Sequence, residues 1–243
     1  MLLKERDWSL PLEALDSKFD ECYNVTAEKF HIARSDFLRE WHFLEILWER
    51  LQNDWKCFNE CRSRVMGAIK NGRRNHVKME STSLIRSFDI LHLDTNCFFQ
   101  NAKTLMDRLA YLTKFFWEEI SIQQIHRKKF DSFERLKNKI KTLHEKGEII
   151  DKIYAEYVIQ NTDWFDNELR KTRVDLIVHR KGWYVDAMKD NPRALLRGKA
   201  VFRDKDGKTI VEYDSQKLPD LNKLMDGMSD FLDFFDKHFS QTL

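Results

Sequence analysis

The sequence predicts a predominantly α-helical chain, its core built from long helices and one small β-hairpin. Three observations carry that reading. Proline and glycine are scarce, 3 and 7 in 243 residues, as helix interiors require. Apolar residues recur in alternating steps of four and three over two long stretches, the spacing that lines one face of a helix. Finally, Asp206-Gly207 separates two short alternating segments, and this dipeptide supplies the positive φ that a tight hairpin turn needs.

Residues 1–34 show no clear period beyond a short helix around Pro11 to Phe19 and are expected to form an N-terminal arm. The strong signal is the series Phe37, Trp41, Leu44, Trp48, Leu51, Trp55, Phe58 and Val65, broken by Arg62. It predicts a helix starting near Ser35 as N-cap. Three tryptophans a heptad apart read either as a stacking platform for bases or, better, as core aromatics. Asn71-Gly72 should end this helix and Arg73 to His76 should connect it to a second. There Leu84, Phe88, Leu91, Thr95, Phe98, Ala102, Leu105, Leu109, Leu112 and Phe116 repeat the pattern, so an antiparallel pair is expected. In the basic stretch from Ile120 to Lys146, Phe130, Phe133, Leu136, Ile140 and Leu143 mark a shorter amphipathic helix that should stop at Gly147. Helical stretches follow from Glu148 to about Gln160, capped onward by Thr162 or Asp163, and from Trp164 to about Arg180. The hairpin is expected at about 199–213, and a last helix from Leu218 to Phe239. Residues 35–243 are thus read as a single helical domain.

Hydrophobic residues make up 42% of the chain and aromatic ones 13%, enough apolar surface to offset ordering entropy, which argues against general disorder. The formal charge is small, 42 − 40 = +2, but uneven. Arg62 to Lys78 holds 6 basic residues and no acid, and Arg170 to Lys208 holds 12 basic against 5 acidic. Such a region reads either as a phosphate-attracting surface or as solvated helix faces and loops. No apolar run approaches the ~18 residues that span a bilayer and no signal-peptide core opens the chain, so a soluble cytoplasmic protein without membrane contact is expected. The four cysteines are expected to stay reduced. Cys57 and Cys61 stand four apart on one helix, but nothing nearby completes a zinc site, and core thiols are the better reading.

Chemistry concentrates between Leu169 and Arg180. Asp175 and His179 stand four apart, so the carboxylate can orient or charge the imidazole. The plain alternative is that His179 packs, because Phe165, Leu169, Thr172, Leu176 and His179 continue one apolar stripe.

Arg173, five residues, then His179 resembles the signature of the HEPN superfamily, helical bundles with an Arg and a His so spaced near the end of a helix. In many members a polar residue follows the Arg directly; here Val174 stands there, with Asp175 one place later. The stretch from Asp94 to Arg108 looks like the second-helix pattern of bacterial HEPN-like proteins. Phe130-Asp131-Ser132-Phe133 is similar to their short aromatic segment. The likeness covers about residues 84–185.

The resemblance implies a multi-helix bundle of HEPN type and a metal-independent endoribonuclease without cofactor, of the kind found in toxin–antitoxin and antiphage systems. RNA carries its own nucleophile, so the protein need only move protons and stabilise the crowded phosphorane, work suited to His179 and Arg173. In that reading Asp175 orients His179, while Arg170, Lys171 and Arg180 hold the phosphate backbone. One histidine does not easily serve as both acid and base, so a homodimer lining one cleft with two motifs is expected. An antitoxin-type partner protein is a further expectation. Two other readings stand beside it: a non-catalytic helical module binding a nucleotide, RNA or a partner protein through the same basic region, and an interaction protein whose aromatic heptads are its purpose.

Overall fold

The structure, a computed structural model, describes residues 3–6, 8–20, 25–121, 131–148, 151–174, 183–185, 194–197, 202–203, 209–210, 215–217 and 219–241. It is predominantly helical. In chain order the helices are α1 (Glu13–Asp20), α2 (Val25–Lys70), α3 (Arg74–Ser121), α4 (Phe133–Glu145), α5 (Lys152–Asn161), a π-helical segment (Phe165–Arg170), α6 (Lys171–Arg173) and α7 (Leu221–Ser240). No helix among the described residues is long and apolar enough to cross a membrane. Short strands lie between α6 and α7: β1 (Trp183–Val185), β2 (Ala194–Arg197), β3 (Phe202–Arg203), β4 (Thr209–Ile210) and β5 (Ser215–Lys217). β2 pairs antiparallel with both β1 and β5, which no sequence pattern anticipated. β3 pairs antiparallel with β4; the Asp206-Gly207 turn expected between them lies outside the described residues.

The chain packs as two compact units. The first holds Met1–Lys4, Ile46–Gln100 and Lys171–Asp220, the second Glu5–Glu45, Asn101–Arg170 and Leu221–Leu243.

In the first unit α2 and α3 run antiparallel. Trp48 meets Phe98 with centroids 5.7 Å apart, Phe58 meets Phe88 at 6.2 Å, and Arg64 reaches Glu80 at 2.9 Å. Each partner number falls as its mate rises, the signature of a helical hairpin. Trp48 and Trp55 are buried core residues rather than a base-stacking platform, and the Trp48 indole N–H donates to the Lys4 carbonyl at 3.0 Å. The turn between the helices is tighter than the sequence suggested. Gly72 takes φ +64, its N–H donates to Ile69 O, and the Arg73 N–H donates to Ala68 O, both at 3.1 Å. This pair of bonds closes the last carbonyls of α2, so α3 begins at Arg74 and not beyond His76.

The second unit is an aromatic cluster. Helix α2 starts at Val25, placing Ser35 inside it instead of at its cap. The reason is that Phe30 and Ala33 prolong the buried stripe, and Phe30 stacks on Phe19 of α1 at 3.8 Å. The residues expected to form an arm are therefore folded in: Leu12, Leu15 and Phe19 are buried, and the Asp236 carboxylate of α7 accepts from the Leu15 N–H at 2.9 Å, satisfying a first-turn donor. Trp41 is buried and meets Trp8 edge-on. Ser132 caps α4 and Asp151 caps α5, and Asp151 also accepts from His238 Nε2 of α7 at 2.7 Å. Tyr157 lies flat on Phe234, 3.6 Å away, leaving Phe235 fully buried. Burial pushes the Tyr154 hydroxyl far above its ordinary range.

Gly227 explains itself by proximity. A Cβ there would lie 2.6 Å from Trp164 Cδ1 and 2.8 Å from its Cγ and Nε1. Alanine gains about 1 kcal/mol of helix propensity, but overpacking a core costs about 1–3 kcal/mol. Gly227→Ala should therefore lower the melting temperature, by about 4 °C for a chain of this size. A melting curve at or above wild type would show that the Trp164 ring moves aside freely.

Candidate functional site

Of the six residues singled out for chemistry, the structure describes Arg170, Lys171 and Arg173. Asp175, His179 and Arg180 lie outside the described residues.

In the second unit, Arg170 closes the π-helical segment. Its Nε donates to Asp166 Oδ1 at 3.0 Å and its Nη1 to Glu134 Oε1 at 3.3 Å. Asp166 is held from the other side by Lys137 Nζ at 2.7 Å, which also donates to the Thr162 carbonyl at 3.0 Å. Thr162, expected as a cap, is buried and turns its hydroxyl back onto the Val158 carbonyl. Arg170 is therefore engaged by two carboxylates. A phosphate reaching it has to compete with both. The π turn itself, with its wider i→i+5 spacing, is a feature that recurs at functional sites.

In the first unit, Arg173 is half-buried and Lys171 exposed, on either side of the buried Thr172. The Arg173 Nε donates to Gln100 Oε1 of α3 at 2.9 Å, and no carboxylate among the described residues pairs with it. The amide is neutral. It steers the guanidinium without cancelling its charge, so the fork can still meet an anion. Gln100 falls within the Asp94-to-Arg108 stretch that the sequence marked separately, so the two segments meet at this bond. Val174 is half-buried.

The rest of that stretch carries polar contacts of its own. Within the second unit, Asn101 donates to the Glu40 carbonyl at 2.8 Å. Lys103 is 8% exposed, and its Nζ reaches Asp107 at 2.6 Å and the Phe165 ring at 5.7 Å. Asp107 accepts in addition from the Phe133 N–H at 3.0 Å, which ties the start of α4 to α3. In the first unit Asp94, 2% exposed, is bound by Arg50. The sequence reading missed these carboxylates, although two signals were there: Lys103 and Asp107 stand four apart, and Asp94 neighbours an apolar stripe position.

Cys61 is buried and its Sγ accepts from Arg64 Nη2 at 3.1 Å, while Cys57 and Cys97 are exposed. Burial, then the neighbouring Cys61, pushes the Cys57 thiol up, away from a reactive thiolate. Among the described residues no three His, Cys, Asp or Glu side chains gather to hold a metal ion. No family model, curated protein or solved structure matches the chain.

The Asp107 link yields a measurable expectation. Asp107→Ala leaves the Lys103 ammonium buried and unpaired and the Phe133 N–H unsatisfied. Removing one member of a buried pair costs about 3–5 kcal/mol; partial exposure of Asp107, 29%, places this case near the lower end. Adding Lys103→Met should recover part of the loss, because the buried charge is then gone. Chemical denaturation of both variants checks this, and equal losses would show that the capping bond alone matters.

Proposed function

We propose that this chain is a metal-independent endoribonuclease of HEPN type, a helical bundle extended by a hairpin at about 199–213 and acting as a homodimer, of the kind found in toxin–antitoxin or antiphage systems. The observation that carries the reading is the Arg173–Gln100 bond. It joins two of the three segments on which the HEPN resemblance rests and holds a guanidinium that pairs with no carboxylate among the described residues.

The chemistry follows from RNA. A 2′-oxygen attacks the adjacent phosphorus and the 5′-oxygen of the next nucleotide leaves. One proton departs from the 2′-hydroxyl and one is delivered to the leaving oxygen. His179 takes the proton-transfer role, with Asp175 orienting its ring. Arg173 stabilises the doubly charged phosphorane, an interaction strongest in the transition state. Lys171 and Arg180 bear on the phosphate backbone. Arg170 contributes through its hold on Asp166 and Glu134 before it contributes to RNA. Two motifs in one dimeric cleft supply the acid and the base.

Val174 favours a second reading, a non-catalytic module that binds RNA, a nucleotide or an antitoxin-type partner, since the polar residue that follows the Arg in many HEPN proteins is missing here.

Cleavage of varied RNAs by the purified chain in EDTA separates the two. His179→Ala and Arg173→Ala should each lower the rate at least ~100-fold while sparing affinity, as loss of a general acid–base or charge-stabilising group does. Asp175→Asn should be milder, and Lys171→Ala or Arg180→Ala should weaken binding and flatten its salt dependence. Intact RNA, or activity abolished by EDTA, ends the nuclease reading; intact RNA with retained nucleotide binding supports the second. The dimer is checked independently by sedimentation at tens of micromolar, roughly the scale of a weak complex, where a monomer alone would count against the two-motif cleft.

A further inference from the structure

In the first unit, α2 and α3 are joined by an arrangement that holds one cation and two acids. Asp94 of α3 is 2% exposed, and its two oxygens accept from Arg50 Nε and Nη2 of α2, both at 2.8 Å. This bidentate geometry is the strong form of the pair. Asp54 follows Arg50 by one turn of α2. Its Oδ2 is buried and meets no hydrogen-bond donor among the described residues, and the carboxyl stands within hydrogen-bond reach of Asp94. One guanidinium thus faces two acids, already engaged by one of them. Two ionised carboxylates this close repel, whereas a single proton between them turns the contact into a hydrogen bond.

We propose that Asp54 and Asp94 form a proton-sharing carboxyl pair, and that the loss of its proton as pH rises toward neutrality loosens the α2–α3 pairing of this unit, making Arg50–Asp54–Asp94 a pH-sensitive clamp. With the proton on Asp54, Arg50 serves Asp94 alone. Without it, Asp54 competes for Arg50 from one turn away and repels Asp94.

The energetics of the group agree in direction. Burial, then the hydrogen bond to Asp94 and its charge, push the Asp54 carboxyl up to about 6 against the opposing pull of Arg50. A carboxyl raised on folding contributes stability that is full below its unfolded pKa and is lost as pH climbs through the folded value. The window is therefore from about 4 to about 6 and just above. The charged groups bearing on Asp54 are Asp94 from α3 and Arg50 from its own helix. The N-terminal stretch, whose Leu3 and Lys4 carbonyls accept from Gln52 Nε2, brings Lys4. His92, two residues before Asp94 on α3, is pushed down by burial. Its contribution has the opposite sign, because a lowered imidazole costs stability as pH falls.

The experiment uses the full chain. Melting temperatures of wild type and Asp54→Asn are compared between about pH 5 and about pH 7.5, and side-chain carboxyl carbon shifts are followed over the same range. Asparagine keeps the shape and donor of the protonated acid but has no proton to lose. The wild type should lose about 3 °C or more relative to Asp54→Asn as pH rises, and one carboxyl resonance, absent in that variant, should titrate near 6. Asp94→Asn should return the Asp54 titration toward the ordinary carboxylate range; if that variant does not fold, the Asp54 comparison stands alone. A pH-independent difference in melting, or an Asp54 resonance titrating near 4 with surface carboxylates, overturns the proposal.

Discussion

Helices of 46 and 48 residues are held by what covers one of their faces, since backbone hydrogen bonding alone leaves even shorter isolated helices marginal in water. In α2 and α3 that face is the four-three stripe, and the aromatic packing within each unit covers it. Within the first unit the cover is mutual, Trp48 against Phe98 and Phe58 against Phe88. Within the second, Phe30 sits among Phe19, Phe115 and Phe116, and α7 closes the cluster with Phe235 and Phe239 on Phe116. The unit's shorter helices are spaced by the rings they must bring there.

An apolar stripe this long leaves little tolerance for charge, and several of the acids in these units are paired with a cation. Asp94 has Arg50, Asp107 has Lys103, and Asp166 has Lys137 and Arg170. The Arg50–Asp94 and Lys137–Asp166 pairs join different helical elements and fix which of their turns lie opposite each other, something greasy side chains alone specify loosely. Arg173 differs because its partner is an amide. An arginine that pairs with no carboxylate among the described residues is the natural place to look for an anionic ligand.

The long helices were legible because a 3.6-residue period repeats over many turns, and Gly72 and Gly147 were legible as stops because both need positive φ. The start of α2 was not. Ser35 has the chemistry of a cap, yet Phe30 and Ala33 continue the stripe and tertiary packing outweighs the local signal. The capping role of Asp151 was hidden for a similar reason: its worth depends on His238, 87 residues away. A π turn leaves no periodic mark, since Phe165, Leu169 and Thr172 keep ordinary helical spacing. At the candidate site the sequence could offer residue types and order, from Arg170 to Arg180. It had no means of assigning Gln100 to Arg173, or of revealing that Arg170 is already engaged, because both facts depend on side chains brought from elsewhere in the chain.

The second unit draws on three separate stretches of sequence, and the last of them, α7, supplies Phe231, Phe235, Phe239 and the Asp236 and His238 side chains that fasten α1 and α5. On a ribosome these arrive late. At about 5–20 residues per second, residue 239 follows residue 45 by roughly 10–40 s. Through the later part of that interval Phe116 of α3, already made, has no Phe235 or Phe239 to close over it. Newly emerging chains of this fold therefore present an uncovered aromatic ridge during synthesis, a natural client surface for chaperones that hold unfinished proteins.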